Sequence, residues 1–407
     1  WRDGKIVIEQ NLYDREYVAS FVSGLKELRE AVKAFDLEYV SRRTRGPADR
    51  IELRVPTMIT RAEARYLHWL GRAHWTGRGA VVEVGPWLGG STYCLAAGMR
   101  ASGRPAGKRL VTYDTFLWRE FMAERADLPL EPGASFEPWF RANIAPFAEV
   151  VVARRMALPD EPVPGDSGAR DVRYAGDAGL PLFRYDDDAP VEILFVDGAK
   201  SWRGMRHLLR ELAPRLVPGE TTLVCQDYKY WGTYWVPLMM ERLGDRVEPI
   251  HDVDPGSTVA FRLRAPIPAE WADGLPDGVQ GLDLDRALAA LDAAAWKLEA
   301  AGDGRGALQV RLARVPLLAH RGEVDRAVAE LRRAQRVWPV AIPTAQLERA
   351  RGFLAEDHGV RVRRPLVHRL GGWIGAALVR LREWRGRTDM GDMGDMGDMG
   401  DVGGGGA

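Results

Sequence analysis

The residues whose types and spacing could do chemistry fall at four places in the chain. Glu83-x-Gly85-x-x-x-Gly89-Gly90-Ser91 joins an apolar run to a helix start, and its glycines let the backbone turn sharply and approach a ligand closely. Asp114 closes the run Leu-Val-Thr-Tyr, where a carboxylate offers two oxygens to a vicinal diol. Asp197 ends the apolar run 191–196 and is followed by Gly198, Ala199 and Lys200, while Asp227 follows a second apolar run at 221–225. Strand ends are where open α/β sheets place their chemistry, so these acids and the lysine are the candidates to act on a bound ligand.

The elements that must position them are legible from hydrophobic pattern. Val81, Val82 and Val84 form a short β-branched run bounded by glycines, the signature of a central strand buried on both faces. The turn after it is spaced G-x-x-x-G-G rather than G-x-G-x-x-G, so the dinucleotide fingerprint fails. Ser91 or Thr92 is expected to cap the helix that follows, which runs to about Met99. Upstream, Thr60-Arg61-Ala62-Glu63 reads as a capping box opening a helix that carries Tyr66, Leu67 and Leu70. For the third strand both 149–153 and 172–175 qualify; we favour 172–175, which places Gly176-Asp177 at its end. The segments 246–250 and 257–263, separated by Asp-Val-Asp-Pro-Gly, read as a hairpin.

The motif Glu83 to Ser91 resembles the first motif of class I S-adenosylmethionine-dependent methyltransferases, in their sugar and small-molecule O-methyltransferase-like branch. Residues 191–202 resemble that family's strand-four motif, usually D-G-D-H-S-Y, but Ala199 and Lys200 remove an acid and a histidine often found there. The resemblance implies an α/β, doubly wound (Rossmann-like) fold with a seven-stranded, mostly parallel sheet and an antiparallel last strand. It implies S-adenosylmethionine as cofactor, held by Glu83, Gly85, Gly89, Gly90 and Ser91, with Asp114 on the ribose hydroxyls and Asp177 near the adenine amino group. On this view valine at Gly85 or Gly89 abolishes cofactor binding in a chain that still folds. Asp197 and Asp227 are then base and orienting group, or share a divalent cation such as Mg2+ with the Gln226 amide oxygen. Lys200 either orients an anionic acceptor or pairs with a neighbouring carboxylate.

The expected activity is methyl transfer to a small polar acceptor, a hydroxyl of a sugar or natural product. Two other readings stay open: a catalytically inactive methyltransferase-fold scaffold, and an NAD-dependent oxidoreductase, which the glycine spacing and the hairpin disfavour. Composition narrows the field. Lysine plus arginine and aspartate plus glutamate each number 57, so no bulk charge favours nucleic acid or an anionic membrane. No apolar run reaches the length of a bilayer span. Cys94 and Cys225 lie inside a predicted helix and strand, which fits a reducing cytoplasm and excludes a cysteine-based zinc site.

Six segments are expected: an N-terminal helical cap (1–59), the methyltransferase domain (60–265), a Pro/Gly-rich linker (266–281), a tetratricopeptide-like helical hairpin region (282–345), a C-terminal helical extension (346–386) and a disordered Met-Gly-Asp/Gly tail (387–407). A single helical hairpin of that kind does not make a solenoid. Its helices are expected to pack on the catalytic domain, on a second copy of the chain or on a protein partner.

Overall fold

The structure, a computed structural model, describes residues 55–105, 107, 109–159, 179–337 and 344–362. The first helix among the described residues, α1 (Arg61–Trp69), starts on the expected capping box: Thr60 Oγ1 accepts from Glu63 N, and Glu63 Oε2 accepts from Thr60 N at 2.7 Å. Strand β1 (Ala80–Val84) leads through the glycine turn into α2 (Gly90–Ala101), then β2 (Leu110–Asp114), α3 (Glu137–Ile144) and β3 (Val151–Arg155). The second half runs β4 (Val191–Val196), α4 (Trp202–Leu212), β5 (Thr222–Cys225), α5 (Trp235–Leu243), β6 (Val247–Asp252) and β7 (Val259–Leu263).

These strands form one seven-stranded sheet in the order β3-β2-β1-β4-β5-β7-β6, parallel except for β7, which runs antiparallel to both its neighbours. The period of two along the strands sorts side chains to two apolar layers. Val82, Val84, Leu194 and Val196 face one layer, and Val81, Ile193 and Phe195 face the other, packed with residues of α1, α2 and α3. Phe116, Trp118, Phe136 and Phe140 all lie in the second layer, so the aromatic stretch after β2 is core.

Beyond the sheet and residue 281, the described residues form α6 (Leu284–Ala300), α7 (Gly304–Leu312), α8 (Arg314–His320), α9 (Val324–Val337) and α10 (Thr344–His358). On α6, Ala287, Leu288, Leu291, Ala294, Ala295 and Leu298 recur at helical spacing and are buried, and the helix packs on α5. Each leucine so buried contributes about 1.5–3 kcal/mol. The helical region and the first sheet layer therefore share one core. Gly322 (φ +79°) makes the turn between α8 and α9. No helix among the described residues is long and apolar enough to cross a membrane.

Three expectations change. The third strand is Val151–Arg155, the candidate we had not favoured: Leu110 to Asp114 pair in register with Val151 to Arg155, and only a short turn separates α3 from it. Residues 172–175 and Asp177 lie outside the described residues, as do the N-terminal cap up to residue 54 and everything after 362. The segment 266–281 is packed rather than a loose linker. Ile267 and Val279 are buried, Ala269–Asp273 is a helical turn, and Trp202 Nε1 donates to Pro276 O at 2.8 Å. Finally, neither Ser91 nor Thr92 caps α2. Its N-cap is Gly89, in the left-handed region at φ +94° and without a side-chain cap.

Candidate active site

The C-terminal ends of β1, β2, β4 and β5 meet at the middle of the sheet, where the chain connections of its two halves diverge. The β1 and β4 ends are in direct contact, since Asp197 N donates to Val84 O at 2.8 Å and Gly198 stacks on Gly85. The glycines here serve the protein's own packing. A Cβ on Gly85 (φ +88°) would lie 2.5 Å from Gly198 N, one on Gly89 2.9 Å from Ile144 Cγ2, and one on Gly90 2.5 Å from Thr57 Cβ. The expectation that Gly85 and Gly89 chiefly leave room for a ligand is corrected accordingly.

Glu83 is fully buried in β1, and the Thr92 hydroxyl donates to its Oε2 at 2.6 Å, bracing strand against helix. Burial raises its pKa, opposed by the hydroxyls of Ser91 and Thr92. Its Oε1 has no hydrogen-bond partner among the described residues, and neither has the buried Trp87 Nε1, which sits in the turn at φ +45°. Ser91 lies at the start of α2, where backbone N–H groups lack helical partners.

Asp114, at the end of β2, accepts from Phe116 N at 2.7 Å through Oδ1 and from the Thr115 hydroxyl at 3.3 Å. It is therefore a turn-bracing carboxylate with one oxygen left for a ligand, rather than two. Burial raises its pKa, and the Phe116 N–H opposes this. Replacement by Asn keeps the bond to Phe116 through the amide oxygen but turns the other oxygen into a donor. We expect affinity for S-adenosylhomocysteine to fall about tenfold, consistent with one charge-assisted hydrogen bond. Unchanged affinity by calorimetry would remove Asp114 from the cofactor site.

On the other side, Lys200 Nζ lies 3.1 Å from Asp197 Oδ1 and 3.6 Å from Asp227 Oδ2, so an ammonium bridges the two strand-end carboxylates. Burial pushes the Asp197 carboxyl up to about 7; Lys200 pulls it down, while the charges of Asp227 and Glu63 push it up. Asp227 is held in the left-handed region at φ +60°, with the Ser257 hydroxyl donating to its Oδ1 at 3.2 Å. All three residues are candidates from the sequence, which did not reveal that Glu63 frames them. Glu63 does more than cap α1: its Oε1 accepts from Ser257 N and from the Thr258 hydroxyl, each at 2.8 Å, tying α1 to the loop before β7. A buried acid in a capping box was the available signal.

The residues do not fit a divalent cation between Asp197 and Asp227. The Lys200 ammonium already lies against both carboxylates, and the Gln226 amide packs against the Thr258 hydroxyl. Among the described residues no group of three or more His, Cys, Asp or Glu side chains is arranged to hold a metal ion.

Residues 82–228 match the family model described as "Methyltransferase domain", which covers β1 through the loop after β5. A search of curated proteins gives no match. Among solved structures, the O-methyltransferase NovP is 18% identical, with TM-score 0.34 over 51% of this chain and 82% of its own. An O-methyltransferase from Bacillus cereus in complex with SAH is 15% identical, with TM-score 0.30 over 62% and 96%. The apo structure of CalS11, a TDP-rhamnose 3'-O-methyltransferase of calicheamicin biosynthesis, is 12% identical, with TM-score 0.32 over 63% and 90%. At TM-scores near 0.3 these likenesses do not bear on the activity.

Proposed function

We propose that this chain, which carries a class I methyltransferase domain, transfers a methyl group from S-adenosylmethionine to a hydroxyl of a small polar acceptor. The observation that carries the reading is the contact between the β1 glycine turn and the acid–ammonium–acid cluster at the ends of β4 and β5. In such a reaction the protein mainly holds donor and nucleophile in line and assists loss of the acceptor proton. S-adenosylmethionine would supply the electrophilic methyl group. Ser91 and Asp114 would hold it, the start of α2 at its amino-acid end and a carboxylate at the ribose, with Glu83 bracing β1 against α2 behind them.

Asp197 is the proposed base. With a pKa near neutrality it is ionised in a substantial fraction of molecules at pH 7 and can still take a proton. Lys200 holds Asp197 and Asp227 together and stabilises an oxyanion developing between them. Carboxylates on both sides of the ammonium favour an uncharged hydroxyl over an anionic acceptor. Because Lys200 fills the cation position, chelation with EDTA is expected to leave methyl transfer unchanged, and a loss restored by Mg2+ would overturn that assignment. The buried thiols Cys94 and Cys225 accord with a reducing compartment such as the cytoplasm.

Calorimetric titration of the full chain with S-adenosylhomocysteine tests the cofactor, and transfer of labelled methyl to a panel of sugar and phenolic hydroxyls tests the chemistry. Lys200 in place of the usual histidine is the feature that favours the inactive-scaffold reading. That reading predicts no cofactor binding, or binding without transfer to any acceptor.

A further inference from the structure

We infer that the C-terminal helices are a positioning element for the acceptor side of the site: α7, α8 and α10 together hold the loop after β5, and through it Asp227. The inference rests on the reading of Asp227 as part of a methyltransferase centre.

Within residues 227–234 three side chains reach into three different helices. Lys229 is buried, and its ammonium donates to Asp303 Oδ2 at 2.8 Å, to Val253 O at 3.1 Å and to Asp252. Asp303 is itself the N-cap of α7, accepting from Gly306 N at 2.7 Å, so the helix start and the loop share one carboxylate. Trp231 Nε1 donates to Gln346 Oε1 of α10 at 2.8 Å, and its ring meets Phe353 edge to face. The Tyr234 hydroxyl lies 2.9 Å from Nδ1 of His320, at the end of α8.

Simple packing between the two regions would need apolar surface alone, which α6 on α5 already provides. Polar contacts from three helices onto one short loop add geometric definition, because each has a narrow range of productive distances and angles. The loop requires such definition. Asp227 is a non-glycine residue in the left-handed region, a conformation that persists where the surroundings over-determine it. Inside the loop, the Thr233 hydroxyl donates to Asp227 O at 2.5 Å, so the fixed end at residues 229–234 is coupled back to the acid. Burial opposes the charge on Lys229, but the hydrogen bonds it donates to Asp252 and Asp303 outweigh this and raise its pKa, so the link stays ionic.

The test uses the full chain and two variants, Asp303→Asn and Gln346→Ala. Amide exchange is followed at Lys229, Tyr230 and Thr233, whose N–H groups donate to Ser257 O, Asp227 O and Tyr230 O. The resonance of the methyl group of bound [methyl-13C]S-adenosylmethionine reports the acceptor side directly. We expect exchange at these amides to rise about tenfold in Asp303→Asn. The methyl resonance should move, S-adenosylhomocysteine affinity should stay within about twofold, and exchange in β1 and β4 should be unchanged. Should Asp303→Asn fail to fold, Gln346→Ala, which leaves Lys229 its partners, carries the same expectations at smaller size. Unaltered loop exchange and methyl resonance in the folded variants would overturn the inference, as would a rise spread evenly through β1 and β4. Failure of the parent to bind S-adenosylhomocysteine would overturn the role given to Asp227 through the methyl-transfer reading itself. The exchange result would then separately decide whether the helices hold the loop.

Discussion

Replacing Asp197 by Asn is expected to lower methyl transfer by about a hundredfold or more at pH 8, the usual range for losing a general base, with S-adenosylhomocysteine affinity within about twofold of the parent. In the parent, activity should climb with pH through about 7, because burial holds the Asp197 proton up to that point and only the carboxylate can accept another. Lys200→Met removes the charge that pulls the carboxyl down and should move this limb to higher pH. Asp227→Asn removes a charge that pushes it up and should move the limb lower. The linkage to stability has a definite sign. Between the ordinary aspartate range near 4 and about 7 the folded chain binds more protons than the unfolded one, so the stability Asp197 provides is full below that window and lost as pH rises through it. Asp197→Asn should therefore melt no lower than the parent at pH 8, which separates lost chemistry from lost folding. A transfer rate within about threefold of the parent would remove Asp197 from the base position.

Gly85→Val is expected to destabilise the chain by upwards of about 3 kcal/mol and lower its melting temperature by about 4 °C or more. Two causes add. A β-branched residue is strained at φ +88°, and its Cβ would lie 2.5 Å from Gly198 N and 2.6 Å from Gly198 Cα, backbone atoms that cannot swing aside. The β1 and β4 ends would have to part, carrying Asp197 with them. Thermal and denaturant melts of the variant check this. A chain that melts like the parent yet binds no S-adenosylhomocysteine would restore the reading in which the glycine leaves room for ligand.

Most of the sheet was legible because its central strands are short β-branched or apolar runs with glycine or acid at their ends. The hairpin was equally legible from two runs flanking Asp-Pro-Gly. The third strand was not. Residues 149–153 and 172–175 carry similar local patterns, and only pairing with β2, a non-local fact, distinguishes them. At the site, Asp197, Lys200 and Asp227 could be named from strand ends, but their bridging by one ammonium depends on distances no spacing encodes. The glycines were found for an incomplete reason. Sequence shows that a side chain is excluded, not whether ligand or neighbouring backbone excludes it. Residues 266–281 misled through composition, since Ile267 and Val279 sit among Pro and Gly and still bury against α4 and its surroundings.

The tie between α1 and the loop before β7 has a consequence for biosynthesis. Glu63 and Thr258, which share a hydrogen bond, are 195 positions apart in the chain. At about 5–20 residues per second, the ribosome delivers the second partner roughly 10–40 s after the first. Through that interval the Thr60–Glu63 box can start α1 while water satisfies Glu63 Oε1, and α1 can already pack on α2, made soon after it. The second tie of Glu63 is thus made only when the loop before β7 arrives, long after the capping box can start α1.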